Sequence, residues 1–212
     1  MNKWEALMLF TLALYFQFTA VNVNPVLGQI YVVFAILAAL FIILDISKTI
    51  PLKKGSNSTF GSIIYGAGAY IVLVLLGNFI IVPGIQAIRK LLSSTTPVLA
   101  QSQFLNGVTF GIAVPIIETT FLFAVSLDFL SNTFNIRVDR QGLTNLKTWV
   151  LIIILSFIFM LFHLSAKGIT NIEVLTIVFF MAIISFILIL LREDYEAAIW
   201  FHIICNLSAL FL

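Results

Sequence analysis

Long apolar runs dominate this chain and limit what it can fold into. An α-helix needs about 20 consecutive apolar residues to cross the roughly 30 Å hydrocarbon core of a membrane. The segments that approach or exceed that length are residues 5–21, 26–46, 62–82, 104–130, 149–166, 172–191 and 195–212. Alternating, strand-like runs of about ten residues do not occur, so the sequence predicts an all-α membrane protein with about seven transmembrane helices.

Composition supports an integral membrane protein and excludes an ordinary soluble domain. Of the 212 residues, 61% are hydrophobic and only 9% are charged, and the mean hydropathy is +1.15. No internal repeat divides the chain, so we expect residues 1–212 to form a single integral membrane domain. Residues 83–100 mix isoleucine and leucine with Arg89 and Lys90, which is typical of a short interfacial helix.

The distribution of basic residues predicts the orientation in the membrane. Lysine and arginine concentrate in the cytoplasmic loops of membrane proteins. One side of the predicted spans carries Lys3, Lys48, Lys53, Lys54, Arg137, Arg140, Lys147 and Arg192, and the other carries Arg89, Lys90 and Lys167. We therefore expect a multi-pass protein with a cytoplasmic N-terminus and a cytoplasmic loop over residues 131–148.

Four polar side chains fall deep inside predicted spans. Charged groups are costly at such positions, so they usually pair with other polar groups or mark a functional site. Counted at about 1.5 Å per residue along straight helices, Glu118 lies about 18 Å and His163 about 21 Å from the cytoplasmic end. The same count places His202 at about 10 Å and Asn206 at about 16 Å. His202 and Asn206 are four residues apart and so share a helix face. We expect all four groups to converge in one broad layer.

The residues alone leave several roles open. Intramembrane histidines often form hydrogen bonds between helices, so this set could simply hold the bundle together. It could also do chemistry, because Glu118 can take a proton from water while histidine and asparagine donate hydrogen bonds to a developing oxyanion. Glu118, His163 and His202 could bind zinc, although the pattern does not require a cofactor. A haem held by both histidines would leave Glu118 and Asn206 unexplained.

The order of these residues resembles the CPBP intramembrane proteases, a family of CAAX proteases and bacteriocin-processing enzymes. Its signature is Glu-Glu-x-x-x-Arg on one helix, Phe-x-x-x-His on the next motif helix, and His-x-x-x-Asn or Asp on a later one. Phe159 and His163 match the second motif, and His202 and Asn206 match the third. The first motif matches at Glu118, within the apolar setting "VPIIETTFLFA".

This resemblance, which covers about residues 104–212, implies a glutamate-dependent intramembrane endopeptidase. Glu118 and His163 would activate the attacking water, and His202 with Asn206 would hold the oxyanion. The implied substrate is a membrane-anchored or lipid-modified peptide or protein. Membrane lipids are the other expected partner, and nothing indicates nucleic-acid binding.

Two positions of the first motif depart from the family pattern. Thr119 stands where the second glutamate would be, and Phe123 stands where the arginine would be. Losing both members of such a pair leaves no orphaned buried charge, so the site could be a trimmed active site. The alternative is a non-catalytic relative that serves as an immunity, binding or scaffold subunit beside a protein partner.

Overall fold

A computed structural model describes residues 37–38, 40–41, 57–77, 107–167 and 172–211, and these residues form helices and turns with no strand. Helix α1 is Thr59–Leu76, α3 is Leu146–Lys167, α4 is Ile172–Arg192 and α5 is Glu196–Phe211. Helix α2 runs over residues 107–134 and has four parts. These are the π-helical Gly107–Ala113, the α-helical Val114–Glu118, the π-helical Thr119–Val125 and the α-helical Ser126–Phe134.

The prediction of an all-helical membrane protein is confirmed for the described residues. Four of their helical segments are long and apolar enough to cross a membrane: Thr59–Leu76, Gly107–Val125, Leu146–His163 and Ile172–Arg192. Apolar α5 has 16 residues and measures about 24 Å, shorter than the hydrocarbon core. The count of about seven helices is not confirmed, since the first two predicted spans, apart from four helical residues, and the interfacial helix lie outside the described ranges.

The connection between α2 and α3 is shorter than the predicted loop of residues 131–148. Helix α2 continues to Phe134 and ends at Asn135, whose φ of 51° is the left-handed conformation common at helix C-termini. A short 3₁₀ helix, Arg140–Thr144, follows and is capped by Asp139, whose carboxylate accepts from the backbone N–H of Gly142. Trp149 fixes this loop by donating from its indole to the carbonyl of Leu143 at 2.7 Å.

The two faces of α1 differ in the size of their side chains. Its buried face presents Ser62, Gly66, Ala69 and Leu73, and α5 packs against this helix. Small residues let helix backbones approach closely inside a membrane, where apolar burial alone does not drive association. Phe60, Ile64, Ile71, Val72 and Leu75 of α1 are exposed. This division gives α1 an exposed side and a packing side.

Helix α5 lies at the centre of the described bundle and contacts α1, α2 and α4, while α3 packs against α4. The largest fully buried side chains include Phe123 of α2, Phe159 of α3, Phe186 of α4 and Phe201 of α5. They belong to one apolar cluster that joins these helices. The helices thereby hold the polar residues of α2, α3 and α5 within one packed core.

The ends of the helices fix which basic residues share a side. The Arg140 side chain donates to the carbonyl of Leu191 at 2.7 Å, so the 3₁₀ helix lies beside the end of α4. Arg137, Arg140, Lys147 and Arg192 therefore belong to the end of the bundle where α2 and α4 finish. That this end faces the cytoplasm stays a prediction.

Candidate active site

Glu118 stands at the junction between an α-helical and a π-helical segment of α2. Pro115, three residues earlier, has no backbone N–H and so cannot complete the regular hydrogen-bond ladder. Neighbouring helices can compensate for such an interruption inside a membrane, and π-helical turns are frequent at functional sites. The Glu118 side chain is buried, with 6% of the residue exposed.

His202 of α5 meets Glu118 of α2 inside the bundle. Its Nε2 lies 3.5 Å from Oε2 of Glu118, and only 1% of the histidine is exposed. This separation is longer than a typical N–H···O hydrogen bond. Of the four groups expected to share one layer, Glu118 and His202 are therefore in contact.

Thr119 contacts the opposite edge of the same imidazole. Its Oγ1 lies 3.1 Å from Nδ1 of His202, and the threonine is fully buried. Two consecutive residues of α2 therefore hold both nitrogens of the His202 ring. Sequence reasoning treated Thr119 only as a departure from the family motif; its position directly after Glu118 was the one signal that could have singled it out.

His163 is half-buried near the end of α3 and is fixed by its own helix. Its Nδ1 lies 2.9 Å from the backbone carbonyl of Phe159, one turn earlier. Because a carbonyl can only accept, this contact has Nδ1 donating to it. The Phe159 ring lies 4.5 Å from the His163 ring and 6.0 Å from the His202 ring, centroid to centroid.

Asn206 ties α5 to the first π-helical segment of α2. Its side-chain amide donates to the carbonyl of Phe110 at 2.9 Å. A Cβ at the neighbouring Gly111 would meet the end of the Leu207 side chain of α5, which would have to move to make room. The structure thus gives Asn206 a contact eight residues before Glu118, and its expected role toward an oxyanion stays a prediction.

Phe123 occupies the place of the family's arginine and makes aromatic contacts there. It is fully buried, and its ring centroid lies 5.0 Å from that of Phe159 and 4.8 Å from that of Phe186. This part of the site is therefore apolar, with packed rings where a charge would otherwise stand.

The zinc alternative finds no support in the geometry. Within the described ranges, no three histidine, cysteine, aspartate or glutamate side chains converge so that they could hold a metal ion. Glu118 and His202 form a pair, and Nδ1 of His202 is already engaged by Thr119. These residues therefore do not fit a resident zinc.

Comparison with known families gives one match. The family model described as "Type II CAAX prenyl endopeptidase Rce1-like" matches residues 100–208, slightly more than half of the chain. This stretch contains α2 to α5 up to Ser208, and so all the side chains of the candidate site. Searches of the curated proteins and of the solved structures gave no match.

Proposed function

The chain belongs to the Rce1-like family of type II CAAX prenyl endopeptidases, and from this premise we propose that it cleaves prenylated proteins through Glu118, His163, His202 and Asn206. Membership confirms the resemblance drawn from the three motifs, and it makes the chain an integral membrane protein of the CAAX protease class. A CAAX motif is a C-terminal sequence whose cysteine carries an isoprenoid, so the substrate is a membrane-associated prenylated protein.

The contact between Glu118 and His202 is the observation that carries this proposal. A carboxylate and an imidazole from different helices meet at 3.5 Å in a buried place, within the part of the chain that matches the family. A polar contact that only held the two helices together would need no further polar groups beside it. Here the same small region also holds Thr119, with the half-buried His163 one turn beyond Phe159.

In the proposed reaction, Glu118 is the general base. Its carboxylate takes a proton from a water molecule as the water oxygen attacks the peptide carbonyl carbon. His163 is proposed to hold the same water through Nε2, since its Nδ1 is engaged by the carbonyl of Phe159. The C–N bond then breaks, and Glu118 returns the proton to the leaving amine.

His202 and Asn206 are proposed to stabilise the negative charge that develops on the carbonyl oxygen. Donors aimed at this oxyanion act strongly in a buried site, where water does not compete with them. His202 can donate from Nε2, the atom that faces Glu118. Asn206 holds the adjacent turn of α5 through Phe110 and has a second amide hydrogen for the substrate.

Substitution of the proposed base tests this function. The purified full chain, reconstituted in lipid vesicles, is incubated with a peptide that ends in a prenylated CAAX motif, and product release is followed by mass spectrometry. Glu118→Gln keeps the size and a hydrogen-bonding group but removes the proton acceptor. We expect the rate to fall by about 10²-fold or more, with the melting temperature nearly unchanged.

A matched control is Glu173→Gln, which makes the same change in the first turn of α4. It should cleave at the wild-type rate. Cleavage by Glu118→Gln at the wild-type rate would remove the catalytic assignment. A wild-type protein that binds the prenylated peptide but never cleaves it would instead identify a non-catalytic relative.

A further inference from the structure

The buried Thr119 hydroxyl has a specific partner, and we propose that Thr119 is a positioning residue that keeps the proton of His202 on Nε2. The inference rests on the proposed function, because it explains how His202 can serve as a donor in the reaction. It concerns a position at which this chain departs from the family motif. Thr119 acts through His202 and does not touch the reacting atoms.

The two contacts of the ring define where its proton lies. Nε2 faces Oε2 of Glu118 at 3.5 Å, and Glu118, as the proposed general base, is an acceptor. Nδ1 faces Oγ1 of Thr119 at 3.1 Å, and a hydroxyl can either donate or accept. In a neutral imidazole one nitrogen donates and the other accepts. The arrangement that satisfies both contacts has Thr119 donating to Nδ1 and Nε2 donating toward Glu118.

The two residues that contact the ring lie where the helix type of α2 changes. Glu118 ends the α-helical part and Thr119 begins the π-helical part. The Phe159 ring meets the His202 ring edge-on, with an interplanar angle of 80°, and both residues are almost fully buried. The ring is therefore enclosed by a carboxylate, a hydroxyl and an aromatic side chain.

This proton position suits the proposed chemistry. A donor to the oxyanion must present an N–H on the side where the substrate reacts, and that side is marked by the general base Glu118. Had the proton been on Nδ1, the ring would direct a lone pair toward Glu118 and could not donate there. A second group that fixes the tautomer of a functional histidine is a common device in enzyme sites.

Nitrogen NMR can read the tautomer directly, because the chain contains only two histidines. The full-length protein is labelled with ¹⁵N-histidine in lipid vesicles, and a His163→Gln sample assigns the two rings by subtraction. The variants are Thr119→Val, which removes the hydroxyl at nearly constant shape, and Thr119→Ser, which restores it. The matched control is Thr120→Val, since Thr120 is equally buried and its hydroxyl has no hydrogen-bond partner.

We expect wild type, Thr119→Ser and Thr120→Val to show His202 protonated at Nε2 and unprotonated at Nδ1. Thr119→Val should populate the other tautomer. Its kcat on the prenylated peptide should fall about 10–100-fold, with little change in KM. Serine at this position should recover most of the rate.

Two results would overturn the inference: a wild-type ring protonated at Nδ1, or a Thr119→Val ring identical to wild type. If Thr119→Val fails to fold, the wild-type and Thr119→Ser spectra still test the inference, because it requires the His202 proton to be on Nε2 in both proteins. The spectra do not depend on turnover. A tautomer that follows the Thr119 hydroxyl in a protein without peptidase activity would therefore support Thr119 as a positioning residue and reject the proposed function.

Discussion

Phe123 shows how a single residue changes the character of this site. Two phenylalanines, Phe159 of α3 and Phe186 of α4, lie against its ring, with centroids 5.0 and 4.8 Å away. Aromatic pairs at such distances contribute about 0.5–1.5 kcal/mol each beyond the burial of their surface. Phe159 also lies beside both histidine rings, so this cluster supports the candidate active site.

Truncation of Phe123 should therefore destabilise the protein strongly. Phe123→Ala leaves a cavity among packed rings, and such changes typically lower the free energy of unfolding by about 3–5 kcal/mol. The matched control is Phe157→Ala on α3, where half of the phenylalanine is exposed. Thermal unfolding in detergent should show a large fall in melting temperature for Phe123→Ala and a small one for Phe157→Ala. Equal falls would contradict a packing role.

Some residues of the site could be predicted from sequence and others could not, for a physical reason. Glu118 and His202 were identifiable because ionisable groups in the middle of apolar spans need partners. The contact of Thr119 with His202 was not, because a threonine is compatible with any helix face. Depth estimates of about 18 Å for Glu118 and about 10 Å for His202 assumed straight helices, whereas α2 contains two π-helical segments.

At the scale of elements, the packing of α1 on α5 positions the helix that carries His202. A Cβ at Gly66 of α1 would lie 2.7 Å from the backbone nitrogen of Phe201 and 3.1 Å from Cβ of Trp200. The two helices are thus in backbone contact one residue before His202. A Cβ at Gly68, on the same helix, would have nothing within 4 Å.

This difference between two glycines gives a prediction with an internal control. Gly66→Ala should push α5 away from α1, lower the free energy of unfolding by about 1–3 kcal/mol and reduce cleavage of the prenylated peptide. Gly68→Ala should leave both properties unchanged or raise stability slightly, because alanine favours helix. Thermal unfolding and rate measurements on both variants check this. A Gly66→Ala protein as stable and active as wild type would contradict the close packing.

The boundaries of the helices were predictable to within several residues, but their irregularities were not. Apolar length located α3 and α4 well, since residues 149–166 and 172–191 lie within the observed helices. The extension of α2 to Phe134 could not be predicted in this way, because "SNTF" is polar and its composition is typical of a loop. The π-helical turns have no hydropathy signature, because they change hydrogen bonding and not polarity.

At the scale of the whole molecule, a polar cluster ties α1 to the turn between α4 and α5. The Asn57 side-chain amide donates to Asp194 Oδ2 at 2.9 Å and to the carbonyl of Arg192 at 3.0 Å. Asp194 Oδ1 accepts from the backbone N–H of Ala197, and the Arg192 guanidinium lies over the ring of Tyr65 at 4.6 Å. The two Asn57 contacts join segments more than 130 residues apart in sequence.

Asp194 is fully buried in this cluster, and burial raises the pKa of its carboxyl above the ordinary value of 3.8. The backbone N–H of Ala197, Arg192 and Asn57 oppose the rise by stabilising the charged form, while Glu196 adds to it. The folded protein therefore holds this proton more tightly than the unfolded chain does. The bound proton therefore contributes to the free energy of unfolding. This contribution is fully present below pH 3.8 and is lost as pH rises through the raised pKa of the folded state.

Two variants should respond to pH with opposite signs. Asp194→Asn cannot titrate, so the stability advantage of wild type over this variant should shrink as pH rises from about 4 toward neutrality. Asn57→Ala removes a hydrogen-bond donor that stabilises the ionised Asp194 carboxylate more than the protonated one. The free energy of unfolding that this variant loses relative to wild type should therefore grow over the same range, to about 1.5–3 kcal/mol at neutral pH. Thermal unfolding of wild type and both variants across this range measures the two differences. If the melting temperatures of all three proteins changed in parallel with pH, the ionisation of Asp194 would not be linked to folding. The contact between α1 and the start of α5 would then not depend on pH.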